Sequence, residues 1–103
     1  ATIYARLKPD AIDADLSAVF TEAYEQERFI RLMPQGQLPE TKNVAYTNFA
    51  DIAWSIDKRT NLVKVMSAID NLGKGASGQA LQTINIMLGL PEETGLLAAG
   101  GTI

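Results

Sequence analysis

The chain contains no cysteine and no histidine. Without cysteine there is no disulfide framework and no thiolate metal site. The two absences together remove a cysteine or histidine nucleophile, a Ser-His or Cys-His couple, an imidazole acid or base and nearly every zinc site. No metal site and no complete catalytic set is expected from these residues alone. A basic surplus is missing too: 9 Lys and Arg against 12 Asp and Glu give a net charge of −3, too little positive charge for a general nucleic-acid binder. No apolar run nears the roughly 20 residues needed to cross a bilayer, and the start shows no basic-then-apolar signal pattern. The expectation is a soluble, cytoplasmic domain with neither nucleic acid nor membrane as partner.

What is present is an ordinary globular composition. With 47% hydrophobic and 20% charged residues in 103, the chain reads as a single domain over 1–103 that buries roughly two-thirds of its unfolded surface in one core. It opens on Ala1-Thr2-Ile3-Tyr4-Ala5, apolar and β-prone with no initiator Met, which reads as a truncated or processed start.

Period-two and period-3.6 patterns give the elements. Thr2 to Leu7 reads as a strand stopped by Lys8-Pro9-Asp10, because proline holds the residue before it extended and then turns the chain. A helix capped by Asp13 follows, with Leu16, Val19, Phe20, Ala23 and Tyr24 as its apolar stripe. Phe29 to Met33 and Asn43 to Asn48 read as short strands on either side of a Pro34 to Pro39 loop. Asp51 to Asp57 alternates strictly, with Ile52, Trp54 and Ile56 on one face, and turns through Lys58 to Asn61 into a return strand from Leu62 to Ala68. A last helix from about Ser77 to Leu88 carries Ala80, Leu81, Ile84, Met87 and Leu88 as its stripe and ends at Gly89 and Pro91. The sum is an α+β fold, a mostly antiparallel sheet of about five strands with helices packed on it.

The candidate chemistry lies in Gly73-Lys74-Gly75-Ala76-Ser77-Gly78, which has the G-x-G-x-x-G spacing between a strand and a helix. A dinucleotide fold needs a second strand with an acidic residue about 20 residues further on, and here the helix meets Pro91 instead. A P-loop fails because Lys74 precedes the last glycine rather than following it. Two readings remain open. Small residues at a helix start let an anion approach backbone N–H groups, with Lys74 adding charge; alternatively, the glycines let helix and sheet pack closely. Amides are also plentiful here, at Asn48, Asn71, Gln79, Gln82 and Asn85. On a solvent face they mean nothing, whereas facing a cleft they could bind a polar ligand.

Three stretches resemble the C-terminal part of the N-acetyl-gamma-glutamyl-phosphate reductase family: Ala1 to Ala5, Leu38 to Ile52, and Ala68 to Ala80, the last continuing through Gln82, Asn85 and Gly89-Leu90-Pro91. The resemblance implies the glyceraldehyde-3-phosphate-dehydrogenase-like substrate and dimerisation domain of an enzyme that reduces an acyl phosphate to an aldehyde with NADPH in arginine biosynthesis. It implies self-association through the sheet and, as a second partner, an N-terminal NADP-binding domain that also brings the cysteine nucleophile and histidine base. It further implies that Asn71, Lys74, Gly75, Ala76 and Gln79 lie near the nicotinamide half of NADP or the substrate phosphate. On this reading the chain is an inactive fragment that does not hold NADP tightly by itself. The alternatives are a stand-alone interaction module, or kinship with the aspartate and aminoadipate semialdehyde dehydrogenases.

Overall fold

The computed structural model describes residues 1–11 and 15–97. Strand β1 (Thr2–Arg6) leads through a 3₁₀ turn at Pro9–Ala11 to helix α1 (Leu16–Tyr24) and then to β2 (Ile30–Leu32). After a second 3₁₀ turn at Thr41–Asn43 come β3 (Ala50–Asp57) and β4 (Leu62–Ile69), a π turn at Gly73–Ser77 and helix α2 (Gly78–Met87). The class is α+β as expected, but the sheet has four strands in the order β1-β4-β3-β2. It is also mixed, since β2 runs parallel to β3 while the other two pairings are antiparallel.

The missing strand is Asn43 to Asn48. Its alternating residues make a loop because side chains there bond the local backbone in place of a ladder. Thr47 Oγ1 donates to the Val44 carbonyl at 2.7 Å, Phe49 N–H donates to Thr47 Oγ1, and Tyr46 takes a left-handed φ of +63°. Val44 is fully buried inside this loop.

The β3–β4 hairpin matches its alternation, with Asn61 at φ +57° supplying the left-handed turn residue. Directly opposed residues share a face, so Ile3, Val65, Trp54, Val63 and Ile56 stand together with Ile52 and Leu32. Helix α1 covers part of that face through Phe20, whose ring stacks on Trp54 at 4.4 Å. Its cap is Asp15, which accepts the Ala18 N–H; the expected cap, Asp13, lies outside the described residues. Val19 and Ala23 of the predicted stripe are exposed, and α1 buries no residue fully.

The opposite face is buried only at the β2 end, at Asp51, Ala53 and Ala68. There Arg31 clasps Asp51 through Nε at 2.6 Å and Nη2 at 3.0 Å, and the same nitrogen donates to the Asn43 carbonyl, so the 43–49 loop lies over this end. Tyr4 and Ser55 leave the other end open.

Candidate functional site

Helix α2 is amphipathic in the reverse of the expected sense. Its buried residues are Gly78, Gln82 and Asn85, a single stripe at helical spacing. The predicted core stripe is exposed, from Leu81 at the margin through Ile84 to Leu88 and Met87, which is 77% exposed. The apolar residues do recur at helical spacing, but among the described residues nothing covers them.

Both buried amides of α2 are hydrogen-bonded. Asn85 donates from Nδ2 to the carbonyls of Glu92 and Thr94, both at 3.0 Å, which fastens the segment after the helix. That segment turns at Gly89 (φ +71°), where the Leu90 N–H reaches the Asn85 carbonyl and the Gly89 N–H the Ile86 carbonyl. This paired bonding of the last carbonyls is the usual glycine stop. It brings Leu96 into the core.

Gln82 is the centre of a second network. Its Oε1 accepts from Lys74 Nζ at 2.7 Å and from Asn48 Nδ2 at 2.9 Å, while its Nε2 donates to Glu92 Oε2 at 3.0 Å. A lysine only donates and a carboxylate only accepts, so the orientation of the Gln82 amide is dictated from both ends. Asn48 must then turn its nitrogen to Gln82. Its Oδ1 is left buried without a partner, against Gly78.

The glycines make these approaches possible. A Cβ on Gly78 would overlap Asn48 Oδ1, and one on Gly73 would overlap the Thr47 carbonyl oxygen. The G-x-G-x-x-G stretch is a π turn, with Gly75 N–H bonded to the Asp70 carbonyl and Ser77 N–H to the Leu72 carbonyl, both at 3.0 Å. The Gly78 N–H goes to Gly73. Three backbone donors of the loop are therefore already used, and helical structure starts at Gly73, ahead of the expected Ser77. Asp70 ties the turn to the 43–49 loop, its carboxylate accepting from Tyr46 and Leu72 N–H groups.

Of the sequence-predicted site residues, Asn71, Gly75, Ala76 and Gln79 stand on the exposed side of the turn and first helical residues. Lys74 is half-buried and turns inward to Gln82, with its ammonium 5.9 Å from the centre of the Phe29 ring. Burial pushes the Lys74 pKa below the ordinary lysine value, against the opposing pull of Glu92 and Glu27. Among the described residues it makes no direct ion pair. Beside this network, Tyr46, Thr47, Gly73, Gly78 and Leu96 line a groove of about 270 Å³. The sequence reading named Lys74 as a site residue and gave Gln82 and Asn48 only a conditional role, as amides that could bind a polar ligand if they faced a cleft; here they bond each other, and Gln82 bonds Lys74.

The semialdehyde dehydrogenase dimerisation-domain family matches residues 1–71, which takes in the whole sheet. The chain belongs to this family. It is 52% identical over 100 residues to the N-acetyl-gamma-glutamyl-phosphate reductase of Acetivibrio thermocellus, a match covering 97% of this chain and 29% of that protein. The reductases of Bacillus subtilis (51% over 96 residues) and Geobacter sulfurreducens (53% over 95) cover 93% and 92% of this chain, and 28% of their own length in each case. The match falls on the C-terminal part of these relatives, so the chain spans less than a third of their length. Among the described residues, no helix is long and apolar enough to cross a membrane.

Proposed function

We propose that this chain is the sheet and closing-helix portion of an NADPH-dependent, cytoplasmic reductase of N-acetyl-gamma-glutamyl phosphate. The observation that carries the reading is identity of about half the residues along nearly the whole chain, including the π turn and α2, to proteins of that name. The thiol and the imidazole such chemistry requires are absent from these 103 residues, and on this reading the rest of the polypeptide supplies them.

The donor set fits an anionic, polar ligand. Lys74 offers a cation with one of its N–H groups engaged by Gln82, Asn71 and Gln79 add exposed side-chain amides, and Gly75 and Ala76 permit close approach of a flat ring or a phosphate. These five residues hold the nicotinamide half of NADP or the substrate phosphate; bound NADPH supplies the hydride. Lys74 attracts and orients the anion, while the outward apolar side of α2 excludes water once the cofactor domain covers it.

The family's dimerisation role belongs to the open sheet face. Tyr4 and Ser55 stand on it with Lys64 and Met66.

Reductase assays on the full-length polypeptide that carries this chain test the proposal. The expected result is NADPH oxidation with N-acetyl-gamma-glutamyl phosphate, a raised KM in Lys74→Met and no turnover by residues 1–103 alone. Turnover by the 103 residues alone, or preference for an aspartyl or aminoadipyl substrate, would overturn it. Sedimentation of wild type and Tyr4→Glu tests the dimer face, with dissociation expected in the variant.

A further inference from the structure

The Lys74 ammonium and the Glu92 carboxylate approach from opposite ends of one side-chain amide. Glu92 pulls electrostatically on Lys74, yet the two make no direct ion pair, because Gln82 takes Lys74 on its oxygen and Glu92 on its nitrogen. Gln82 cannot swing away, since it is buried and its oxygen is also held by Asn48, which arrives from the loop before β3. A lysine side chain is long and flexible, and in contact with a carboxylate it would spend its charge there. With a neutral amide in contact, the cation is fixed while more of its field remains available to a third group than in a direct ion pair.

We propose that Gln82 is a positioning residue that anchors the Lys74 ammonium and separates it from Glu92, leaving the charge free for an anionic ligand. The proposal rests on the reading that Lys74 meets such an anion. Asn48 is the second element of the device, because it fixes the amide's rotation, and Gly78 is the third, because only a residue without Cβ leaves Asn48 room. Glu92 completes it by fixing the amide nitrogen.

The test transposes the amide and the acid. Gln82→Glu with Glu92→Gln keeps net charge and composition, and every hydrogen bond can reform: Lys74, Asn48 and the new amide all donate to the carboxylate at position 82. The only change is that the negative charge moves into contact with Lys74. In the full-length protein the expected results are a rise in the Lys74 titration midpoint, read by NMR on lysine ε-carbons, and a rise of about tenfold in KM for NADPH or for the acyl phosphate, equivalent to one direct charge contact. The turnover number and thermal midpoint should stay near wild type. A KM rise for only one of the two ligands identifies which anion Lys74 serves.

Glu92→Gln alone removes the opposing charge while its amide oxygen can still accept from Gln82 Nε2, and it should lower that KM about twofold, the scale of a partly screened charge. It serves as the measurement if the transposed protein folds poorly. A rise in KM in this variant equal to that of Lys74→Met would show that Glu92 orients the ammonium, and would overturn the proposal. So would a transposed protein with wild-type titration and KM. If the titration rises while KM is unmoved in both the transposed protein and Lys74→Met, Gln82 is still the separator, and it is the reading of Lys74 as an anion contact that fails.

Discussion

Arg31 and Asp51 are register partners across the parallel β2–β3 pairing, and the guanidinium grips both carboxylate oxygens. The pair is lopsided. The Asp51 side chain is 3% exposed, whereas that of Arg31 is 43% exposed and also touches the Asn43 carbonyl and the Phe49 ring. Removing the cation therefore strands a buried charge, while neutralising the acid leaves an arginine that can still reach water. Arg31→Met is expected to cost about 3–5 kcal/mol and Asp51→Asn clearly less. Urea unfolding of both variants checks the order, and equal losses would contradict it.

Gly78→Ala should destabilise, although alanine ordinarily favours a helix over glycine by about 1 kcal/mol. The added methyl meets Asn48 Oδ1 and the Gly73 carbonyl, an overpacking whose usual cost is roughly 1–3 kcal/mol. Thermal midpoints decide the sign, and an unchanged or raised midpoint would show that Asn48 can give way.

On α2 the usual ranking of apolar and polar residues should invert. Met87→Gln touches an exposed position and is expected to change stability by less than about 0.5 kcal/mol. Asn85→Ala frees two carbonyls and opens space at a fully buried side chain, with an expected loss of roughly 2–3 kcal/mol. Denaturation of residues 1–103 is the appropriate comparison, because covering the α2 face would make Met87 matter.

Lys74 gives a pH dependence with a definite sign. Its folded pKa lies below the unfolded one because burial desolvates the ammonium. The folded state thus binds this proton less well, so the group opposes folding below its folded pKa, and the penalty fades as pH climbs towards the ordinary lysine value. Relative to Lys74→Met, the wild type should gain stability from neutral to alkaline pH. Paired urea titrations across that range test it; a difference moving the other way would count against a desolvated lysine.

The sequence made some of this legible and hid the rest for physical reasons. The β3–β4 hairpin was readable because strict alternation around a left-handed turn residue has one solution, and the end of α2 was readable because Gly89 and Pro91 are unambiguous stops. The parallel placement of β2 was not, since three residues carry no directional signal and the Arg31–Asp51 pair that fixes them spans 20 positions. Nor was the loop at 43–48, where Thr47 bonds the backbone locally. The orientation of α2 was hidden for a different reason: periodicity reports which side of a helix is apolar, not which side packs inward, and here the inward side is Gly78, Gln82 and Asn85. Lys74 stood out as a charge among glycines, but only the folded structure shows that its inward partner is Gln82.

Strand β1 has every residue exposed and one neighbour, β4, reached across some 60 positions of chain between partners such as Thr2 and Met66. It is held by backbone hydrogen bonds with little side-chain burial, and it must wait for β4 to exist before it can dock. The strand therefore behaves as a removable stave. Its amides should exchange with solvent by local peeling while β3 and β4 stay closed, and a separate peptide of the same sequence should be able to take its place along β4.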